Sequence, residues 1–383
     1  MTRPLEEVAA YVSRRPMPAA VVVDVNWVNG LAAIRSLGRA GVPVLALDHR
    51  AGALGFRSRY CLPLRCPDPG AEEERFVERL VSLGEQLDRP APIFPTHDEQ
   101  LNAVARNASV LDAFRRPFPA WDVLERIQSK RFQLERAEAA GVPVPATVHP
   151  GSAAEALAAG SALGYPVLVK PSDPTGFKRR FRRQAFRCED PAALERAYAA
   201  AEPFAPMVQE LVPGGDGTLY TLGSYVAADG EALGLFCGRK LRQTPPGIGT
   251  CRVGEAVWVD EVVELGLRTI RAVGFHGLSQ VELKRDRRDG RFKLMEINPR
   301  LWQWHGLAAA CGVDLPRIAY WDLLGARLPP VRMQGSGKRW AISLMGGEPH
   351  ALQRPPYVDA VLAADDVRPA LVQGARVLRG AFR

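Results

Sequence analysis

The amino-acid sequence predicts a protein of mixed α/β and α+β class, and the order of its apolar patterns carries that prediction. In the N-terminal part, short apolar strands alternate with helical periods, which is typical of a parallel sheet with right-handed crossovers. From Met207 onward, longer alternating strands dominate, which is typical of antiparallel sheet. We therefore expect an N-terminal open α/β domain, then a helical region, and then antiparallel sheet.

The N-terminal part is predicted to form strands over residues 20–24, 42–48 and 92–95 and helices over 30–40 and 72–87. The turn after the first strand lacks the Gly-x-Gly-x-x-Gly pattern that lets a backbone approach a pyrophosphate, so no dinucleotide site is expected there. Open α/β sheets bind ligands at the carboxyl ends of their strands, where this sequence places Asn26, Asn29 and residues 96–99. These residues are candidate substrate contacts, and helix capping is the competing interpretation.

The central part is predicted to form helices over residues 123–127, 129–140 and 153–163 and then a buried strand over 165–171. Lys170 stands near the end of that strand. A lysine is rarely placed on an otherwise apolar strand unless an opposite charge meets it, so we interpret Lys170 as a phosphate ligand rather than a surface lysine. Further strands are predicted over 207–212, 220–226 and 232–240, and further helices over 261–273 and 316–324.

Two carboxylates are predicted to lie side by side on a hairpin. Residues 279–286 and 294–300 have strand patterns and are joined by an Asp289-Gly290 turn, which pairs Glu282 with Glu296. Neighbouring carboxylates repel each other unless a cation lies between them, and Asn298 adds a neutral oxygen on the strand face of Glu296. Hard oxygen ligands select Mg²⁺ or Mn²⁺ over Zn²⁺. The alternative is a solvated strand face.

The charge balance points to one basic segment. The chain of 383 residues has a net charge of +8, and six positive charges lie between Lys178 and Arg187, so without them the balance is +2. A local cluster of this kind favours phosphates or an anionic substrate over a nucleic-acid-binding face, with a solvated surface loop as the alternative.

Composition excludes several other classes. With 47% hydrophobic and 24% charged residues, the chain has the balance of a globular protein of two or three domains. The six cysteines form no Cys-x-x-Cys pair and the six histidines show no zinc-binding spacing, so free buried thiols are expected. No apolar run approaches the length of a membrane span and the N-terminus has no apolar signal region, which predicts a cytoplasmic protein.

One ordered set of residues resembles the ATP-grasp superfamily. The set consists of Lys130, Lys170, Gln209-Glu210, Asp216, Glu282 and Glu296-x-Asn298-Pro299-Arg300. Within the superfamily the chain is most similar to the carboxylate–amine ligases of the D-aspartate ligase-like group, through residues 38–44, 58–60, 181–183, 238–243 and 296–300. The resemblance spans about residues 19–325.

The resemblance implies an ATP-grasp fold in which two α+β lobes enclose ATP beside an N-terminal open α/β domain. The expected boundaries are 1–118 for the N-terminal, substrate-side domain, 119–205 for the small lobe and 206–330 for the large lobe with the metal site. Residues 331–383 would form a C-terminal extension of unknown role. Residues 172–184 would take the place of the mobile loop that covers the phosphates.

The resemblance also implies roles for individual residues. Lys130 and Lys170 would hold the α- and β-phosphates, and Asp216 would reach the ribose hydroxyls. Glu282, Glu296 and Asn298 would bind two Mg²⁺ ions, with Glu296 bridging them. The adenine would be lined by Gln209, Glu210, Leu211 and Val212, whose backbone groups would read its edge.

The chemistry so implied is ATP-dependent joining of a carboxylate to an amine through an acyl phosphate. Lys240 and Arg239 would neutralise phosphate charge, and Arg300 would contact the acyl phosphate or the tetrahedral oxyanion, with a surface salt bridge as the alternative role of Arg300. Small-molecule acids and amines are the expected partners, without nucleic acid or membrane, and a homodimer is left open. Trp302 and Trp304 would form either a substrate wall or core.

Two other functions compete with this one. A bicarbonate-activating, carboxylase-like enzyme would use the same ATP chemistry on a different acid. A nucleotide-binding protein without turnover would keep the cleft alone, but it would have no need of Asn298. RNA binding would explain the arginine-rich segment and nothing else.

Overall fold

A computed structural model of the chain describes residues 4–172, 174–247, 249–335, 337–343 and 357–381. Within these residues the strands form three sheets, of five, four and eight strands. None of the helices in the same ranges has the length and apolarity that a bilayer crossing requires.

The N-terminal sheet is parallel throughout, as the sequence predicts. Its strand order is β3-β2-β1-β4-β5, so the chain runs outward on one side of β1 and then returns to the other side with β4. Strands β1 and β2 are buried along their whole length, as expected for apolar strands covered by helices on both faces. The elements are α1 (Glu6–Val12), β1 (Ala20–Val23), α2 (Val28–Arg39), β2 (Val44–Asp48), β3 (Cys61–Arg65), α3 (Glu73–Gly84), β4 (Ala91–Pro95), α4 (Asp98–Arg106) and β5 (Phe114–Arg115).

The small lobe is an antiparallel sheet of order β6-β9-β7-β8 with helices packed against it. Its last strand, β9, belongs to this sheet, so the sheet continues five residues past the expected boundary at residue 205. The expectation of a loop over 172–184 is wrong for most of that segment, because residues 174–181 form a helix. The elements are α5 (Trp121–Gln128), α6 (Lys130–Ala139), β6 (Thr147–Val148), α7 (Ala153–Leu163), β7 (Val167–Pro171), α8 (Pro174–Phe181), β8 (Phe186–Cys188), α9 (Pro191–Ala201) and β9 (Pro206–Glu210).

The large lobe is built on the eight-stranded sheet, whose main path runs β14-β13-β10-β11-β12-β16-β17, with β15 paired to β11. The core of this path, from β14 to β16, is antiparallel. The elements are β10 (Leu219–Val226), β11 (Ala232–Thr244), β12 (Thr250–Ala256), α10 (Asp260–Ala272), β13 (Gly277–Arg285), β14 (Phe292–Asn298), α11 (Gly306–Ala310), α12 (Leu315–Leu323), β15 (Val331–Arg332), β16 (Arg339–Ala341), β17 (Tyr357–Asp359) and α13 (Arg368–Ala381).

The C-terminal residues join both the large lobe and the N-terminal domain. Strands β15, β16 and β17 extend the large sheet, whereas Asp366 reaches the N-terminal domain. The Arg35 Nε lies 2.9 Å from Asp366 Oδ2 and both side chains are buried. The Ser58 hydroxyl donates to the same carboxylate over 2.8 Å and the Arg59 amide donates to its Oδ1 over 2.9 Å. Part of the segment 58–60, which the sequence singles out, therefore binds the C-terminal segment.

Candidate functional site

Two cavities meet between the domains, and their shared wall contains the predicted metal ligands. The first cavity lies between the small and large lobes and has a volume of about 730 Å³ with its open mouth included. The second lies between the large lobe and the N-terminal domain and has a volume of about 1210 Å³ on the same measure. Both are lined by Gln184, Lys240, Gly249, Glu282 and Glu296.

One end of the first cavity is apolar. Leu211 and Val212, which follow β9, line it, as the sequence predicts for a base-binding segment. The sequence analysis missed three further apolar residues of this lining, which are Leu168, Leu219 and Met295. Apolar side chains from two lobes are suited to contact the face of a purine base.

Gln209 and Glu210 are turned toward protein partners. The Gln209 Oε1 accepts a hydrogen bond from Lys170 Nζ over 2.7 Å, so this glutamine positions a lysine of the cavity. Glu210 forms ion pairs with Arg288 and Lys293 of the β13–β14 hairpin and ties the small lobe to the large one. These side-chain partners leave the backbone of residues 209–212 as the part of the segment that would read the adenine edge, which stays a prediction.

Four lysines converge on the other end of the first cavity. Lys130 lies at the start of α6, Lys170 on β7, Lys240 on β11 and Lys284 on β13. Burial, together with the charges of the neighbouring Lys130 and Lys284 and against the opposing effect of Glu296, lowers the pKa of Lys170 to about 7. Burial also lowers the pKa of Lys284. So much converging positive charge is suited to a polyphosphate.

Lys284 was missed by the sequence analysis, although a signal was present. It stands two residues after Glu282 on β13, and residues two apart on a strand share a face. The prediction for Glu282 therefore extends to it.

The hairpin pairs the carboxylates as predicted. Glu282 of β13 is registered opposite Glu296 of β14, and the register shifts by one residue immediately afterwards, so that Leu283 faces Leu294. The extra residue at this bulge is Met295, which lines the cleft beside Glu296. The bulge also explains how Leu294 and Ile297, three residues apart, are both buried.

The two carboxylates are already partly neutralised by lysines. Lys240 Nζ lies 2.7 Å from Glu282 Oε1, and Lys130 Nζ lies 3.2 Å from Glu296 Oε2. Burial nevertheless raises the pKa of Glu282, and repulsion by Glu296 adds to the rise against the opposing effect of Lys240. Further positive charge at this point would therefore stabilise the ionised pair.

The donor set fits Mg²⁺. Asn298 Nδ2 donates to Glu296 Oε1 over 3.3 Å, so the amide lies beside the two paired carboxylates, and its Oδ1 would supply a third hard oxygen. Within the described ranges, no three His, Cys, Asp or Glu side chains gather as a metal cluster. Mg²⁺ commonly uses one or two carboxylates and completes its shell with water and phosphate oxygens, so two glutamates suffice.

The second cavity joins the metal residues to the N-terminal domain. Asn29 and His97, which the sequence places at strand ends, both line it, as does Trp27. His97 Nδ1 lies 3.4 Å from Asp24 Oδ2, and burial together with the charges of Arg300 and Arg50 lowers the pKa of His97 to about 4. The imidazole is therefore neutral at physiological pH.

Arg300 lines the second cavity while holding an ion pair across the domain boundary. Its Nε lies 2.6 Å from Asp98 Oδ1 and its Nη2 lies 3.1 Å from Asp98 Oδ2, a two-pronged contact with the start of α4. Arg300 Nη2 also lies 3.5 Å from Asn298 Oδ1. The guanidinium is thus salt-bridged and also borders the cavity, and its contact with an acyl phosphate or oxyanion stays a prediction.

Two predicted site residues are not brought to the cleft. Arg239 pairs with Glu255 of β12, with Nε donating over 2.8 Å, and it lies outside both linings. Because neighbouring residues of a strand point to opposite faces, β11 directs Lys240 to the cleft and Arg239 away from it. The position of Arg239 thus gives no support to the catalytic role predicted for it, which stays a prediction.

Asp216 is occupied by the backbone and side chain of a cavity segment. Its carboxylate accepts hydrogen bonds from the Gln243 amide over 2.7 Å, from Gln243 Nε2 over 2.9 Å and from the Gly247 amide over 2.8 Å. Gln243 and Gly247 line the first cavity, whereas Asp216 does not. Its position thus supports a role in holding residues 243–247 rather than the predicted ribose contact.

The arginine-rich segment lies at the small-lobe side of the cavity mouths. Arg179 of α8 lies 3.7 Å from Glu99 of the N-terminal domain, and Gln184 just beyond the helix lines both cavities. Arg182 and Arg183 are exposed.

Comparison with known proteins agrees with this architecture. No protein-family model matches the chain. It is 26% identical over 269 residues to the D-aspartate ligase of Enterococcus faecium, which covers 65% of this chain and 61% of that protein. It is 24% identical over 335 residues to the N-terminal section of the carbamoyl phosphate synthase large chain of Methanopyrus kandleri, covering 82% of this chain and 56% of that protein. The chain spans about three fifths of the length of these relatives.

Among solved structures, the fold is similar to the biotin carboxylase domain of the 2-oxoglutarate carboxylase of Hydrogenobacter thermophilus, determined with MgADP, ADP and bicarbonate. The TM-score is 0.65 at 18% identity, over 84% of this chain and 73% of that chain. Two α+β lobes around a lysine-lined cleft, beside an open α/β domain, are the arrangement of the ATP-grasp fold, so the predicted fold is confirmed. In sequence the chain is similar to a carboxylate–amine ligase, as predicted.

Proposed function

We propose that the protein is an ATP- and Mg²⁺-dependent ligase that phosphorylates a carboxylate and joins the resulting acyl phosphate to an amine. The observation that carries this proposal is the junction of the two cavities at Glu282 and Glu296. A nucleotide in the first cavity would present its terminal phosphate at this junction, and an acid in the second cavity would meet it there.

The lysines of the first cavity would bind the phosphates. Lys130, Lys170 and Lys284 supply charge along the chain of phosphates, while Lys240 stands at the junction beside Glu282. Glu282, Glu296 and Asn298 would hold the metal, which when bound neutralises charge on the phosphate oxygens. The protein residues then act mainly by positioning and electrostatics.

The reaction has two steps. In the first, a carboxylate oxygen of the acid attacks the γ-phosphorus of ATP, the bond to the β,γ-bridging oxygen breaks, and ADP leaves. In the second, the amine nitrogen attacks the carbonyl carbon, the bond to the phosphate oxygen breaks, and the leaving phosphate takes up the proton that the nitrogen loses. Arg300, held at the cavity border by Asp98, would stabilise the oxyanion of the second step.

The test is substrate-dependent ADP release across a panel of carboxylate and amine pairs, with hydroxylamine added to trap an acyl phosphate as a hydroxamate. Glu296→Gln should lower the rate about 10²-fold or more, because it removes one charge from the metal site. The matched control is Glu231→Gln at an exposed turn position, which should leave the rate unchanged.

Three outcomes would count against the proposal. Unchanged ADP release in Glu296→Gln would show that the metal assignment is wrong. Labelled bicarbonate in the product would identify a carboxylase-type reaction instead. Tight nucleotide binding with no ADP release against any acid would identify a protein without turnover.

A further inference from the structure

Asp24 and His97 lie where the N-terminal sheet reverses its strand order. Strand β1 pairs with β2 on one side and with β4 on the other, and the chain passes between these sides after β3. Asp24 follows the last residue of β1, and His97 comes two residues after β4. Open α/β sheets bind ligands outside the carboxyl ends of the strands at such a reversal. This is therefore the point at which the sheet would meet a substrate.

The ends of β1 and β4 bring the two side chains together. Asp24 has a φ of 60°, a left-handed conformation that few residues other than glycine adopt and that is found preferentially at functional sites. The Thr96 hydroxyl donates to the Asp24 carbonyl over 2.6 Å and so ties the two strand ends to each other. His97 Nδ1 then lies 3.4 Å from Asp24 Oδ2. The contact between imidazole and carboxylate is thus part of the strand ends themselves.

The neighbours of Nδ1 determine the tautomer of the imidazole. Thr96 Oγ1 lies 3.4 Å from Nδ1, and its own hydrogen is already donated to the Asp24 carbonyl. With Asp24 ionised, both neighbours of Nδ1 can only accept, so the neutral ring carries its hydrogen on Nδ1. Nε2 is left with a lone pair, on a side chain that is 37% exposed and lines the second cavity.

The charges around His97 decide how this nitrogen behaves. Burial lowers the pKa of His97 to about 4, together with the positive charges of Arg300 and Arg50. Asp98 and Asp48 oppose this effect. The neutral ring does not repel a cationic amine. An anionic acid bound against Arg300 would offset the charge of the guanidinium and so raise the pKa of His97 once the acid is in place.

The joining step of the proposed reaction has to remove two protons from the amine. An α-amino group has a pKa of about 8 and a lysine-type amine one of about 10, so both are protonated at neutral pH. A protonated nitrogen has no lone pair with which to attack. The leaving phosphate takes up the proton that is lost after the attack, and the proton that must be lost before the attack needs another acceptor.

We propose that His97 is a catalytic residue that accepts this first proton, and that Asp24 is the residue that positions its imidazole. An N–H bond of the ammonium breaks, the electron pair stays on the nitrogen, and the proton passes to Nε2. The neutral nitrogen then attacks the acyl phosphate. The imidazolium, held beside the Asp24 carboxylate, afterwards returns its proton to water through the open cavity. The assignment rests on the proposed function and places the amine on the N-terminal side of the second cavity.

The experiment compares two kinds of nucleophile, with MgATP and the acids of the panel. Hydroxylamine is largely unprotonated at neutral pH and needs no base, whereas the amines of the panel are protonated. His97→Gln should lower amide formation about 10²-fold, as is usual for loss of a general base, and leave hydroxamate formation within about twofold of the wild type. In this variant the amide rate should rise about tenfold per pH unit below the pKa of the amine, because only amine that is already neutral can attack.

Two further variants complete the design. His276→Gln makes the same change at a partly buried histidine outside both cavity linings and should alter neither product. Asp24→Asn keeps the shape of the side chain and tolerates the left-handed backbone, and it should lower amide formation about tenfold with hydroxamate formation unchanged. Wild-type affinity for ADP shows that a variant is folded. If His97→Gln fails that check, Asp24→Asn decides the question.

Equal losses of amide and hydroxamate in folded His97→Gln would overturn the proposal, as would a wild-type rate of amide formation. So would nitrogen NMR that finds the hydrogen of the wild-type imidazole on Nε2 at neutral pH, because that nitrogen would then have no lone pair for the amine. Failure of the ligase function is recognised separately, since the wild-type protein itself would then form neither amide nor hydroxamate, and the role of His97 would fall with it.

Discussion

Lys170 should make nucleotide affinity depend on pH in the neutral range. Its pKa is lowered to about 7, first by burial and then by the positive charges of Lys130 and Lys284. Raising the pH above 7 therefore removes the charge of Lys170 and weakens its attraction to phosphate. Binding of a polyphosphate should in turn favour the protonated lysine, so complex formation takes up a proton.

The size of the effect follows from the fraction of protein that carries the charged lysine. If only the charged form binds well, the apparent Kd is multiplied by a factor of about 1.1 at pH 6 and about 11 at pH 8, since it scales inversely with the competent fraction. Affinity should thus fall about tenfold between these two values, which corresponds to about 1.4 kcal/mol.

The stability of the ligand-free protein should change in the opposite direction. In the unfolded chain the pKa of Lys170 returns toward 10.5, so between about pH 7 and 10.5 the unfolded state binds more protons than the folded one. The contribution of Lys170 to the free energy of unfolding therefore rises with pH across that window. Opposite signs for affinity and stability separate a lysine effect from general loss of structure.

The assay is calorimetric titration with ADP at pH 6, 7 and 8 in buffers of different ionisation enthalpy, which also counts the proton uptake. Lys170→Arg is expected to flatten the pH dependence, because arginine stays charged throughout this range. Lys130→Arg, the same change at a neighbouring lysine, should leave it in place. A flat profile in the wild type, or an unaltered slope in Lys170→Arg, would refute the reasoning.

Three further changes test the structural roles of individual residues. Asp366→Ala leaves Arg35 buried without its carboxylate and should lower the free energy of unfolding in urea by about 3–5 kcal/mol. The control Asp365→Ala, at the exposed Arg39 pair, should lower it by about 1 kcal/mol or less. Equal losses in the two variants would contradict the buried-pair assignment. Gly223→Ala should destabilise the protein by about 1–3 kcal/mol in thermal unfolding, because Trp302 occupies the space of the new methyl group. The control Gly217→Ala has open space at the corresponding position and should have no such effect. Similar melting temperatures of the two variants would show that Trp302 can move aside without cost. The Asp216 carboxylate already accepts hydrogen bonds from protein groups, so the affinities of the wild-type protein for ATP and 2′-deoxy-ATP should agree within about threefold. A strong preference for ATP that disappears in Asp216→Ala would instead support the ribose contact.

The elements with strong periodicity were predictable from the sequence. The helix predicted over 153–163 has those bounds, and the predicted strands of the N-terminal sheet were found within two residues. Strand β3 was missed because Pro63 interrupts its pattern, and the two-residue strand β5 is too short to show a period. The helix α8 was missed because its resemblance to a covering loop outweighed its helical period.

Site residues were predictable where the spacing along a strand decides which face of the sheet their side chains point to. Glu282 and Glu296 needed only a hairpin, and the hairpin forms as expected. Arg239 and Lys240 are adjacent in sequence, and choosing which of them faces the cleft requires knowing the side of β11 that the other lobe covers. The capture of Asp216 by Gln243 could not be foreseen either, because it depends on a contact between residues 27 positions apart.

The ion pairs of the ligand-free cleft suggest how it tolerates so much charge. Lys240 pairs with the buried Glu282 and Lys130 with the half-buried Glu296, so neither carboxylate is left without a cation. A metal nucleotide would bring both signs of charge at once, phosphates for the lysines and a divalent cation for Glu282 and Glu296. Each group then exchanges one counter-ion for another instead of losing its partner, which avoids the cost of an unpaired buried charge. Nucleotide and metal should consequently bind cooperatively, because either one alone would separate the lysines from the glutamates without supplying the second partner.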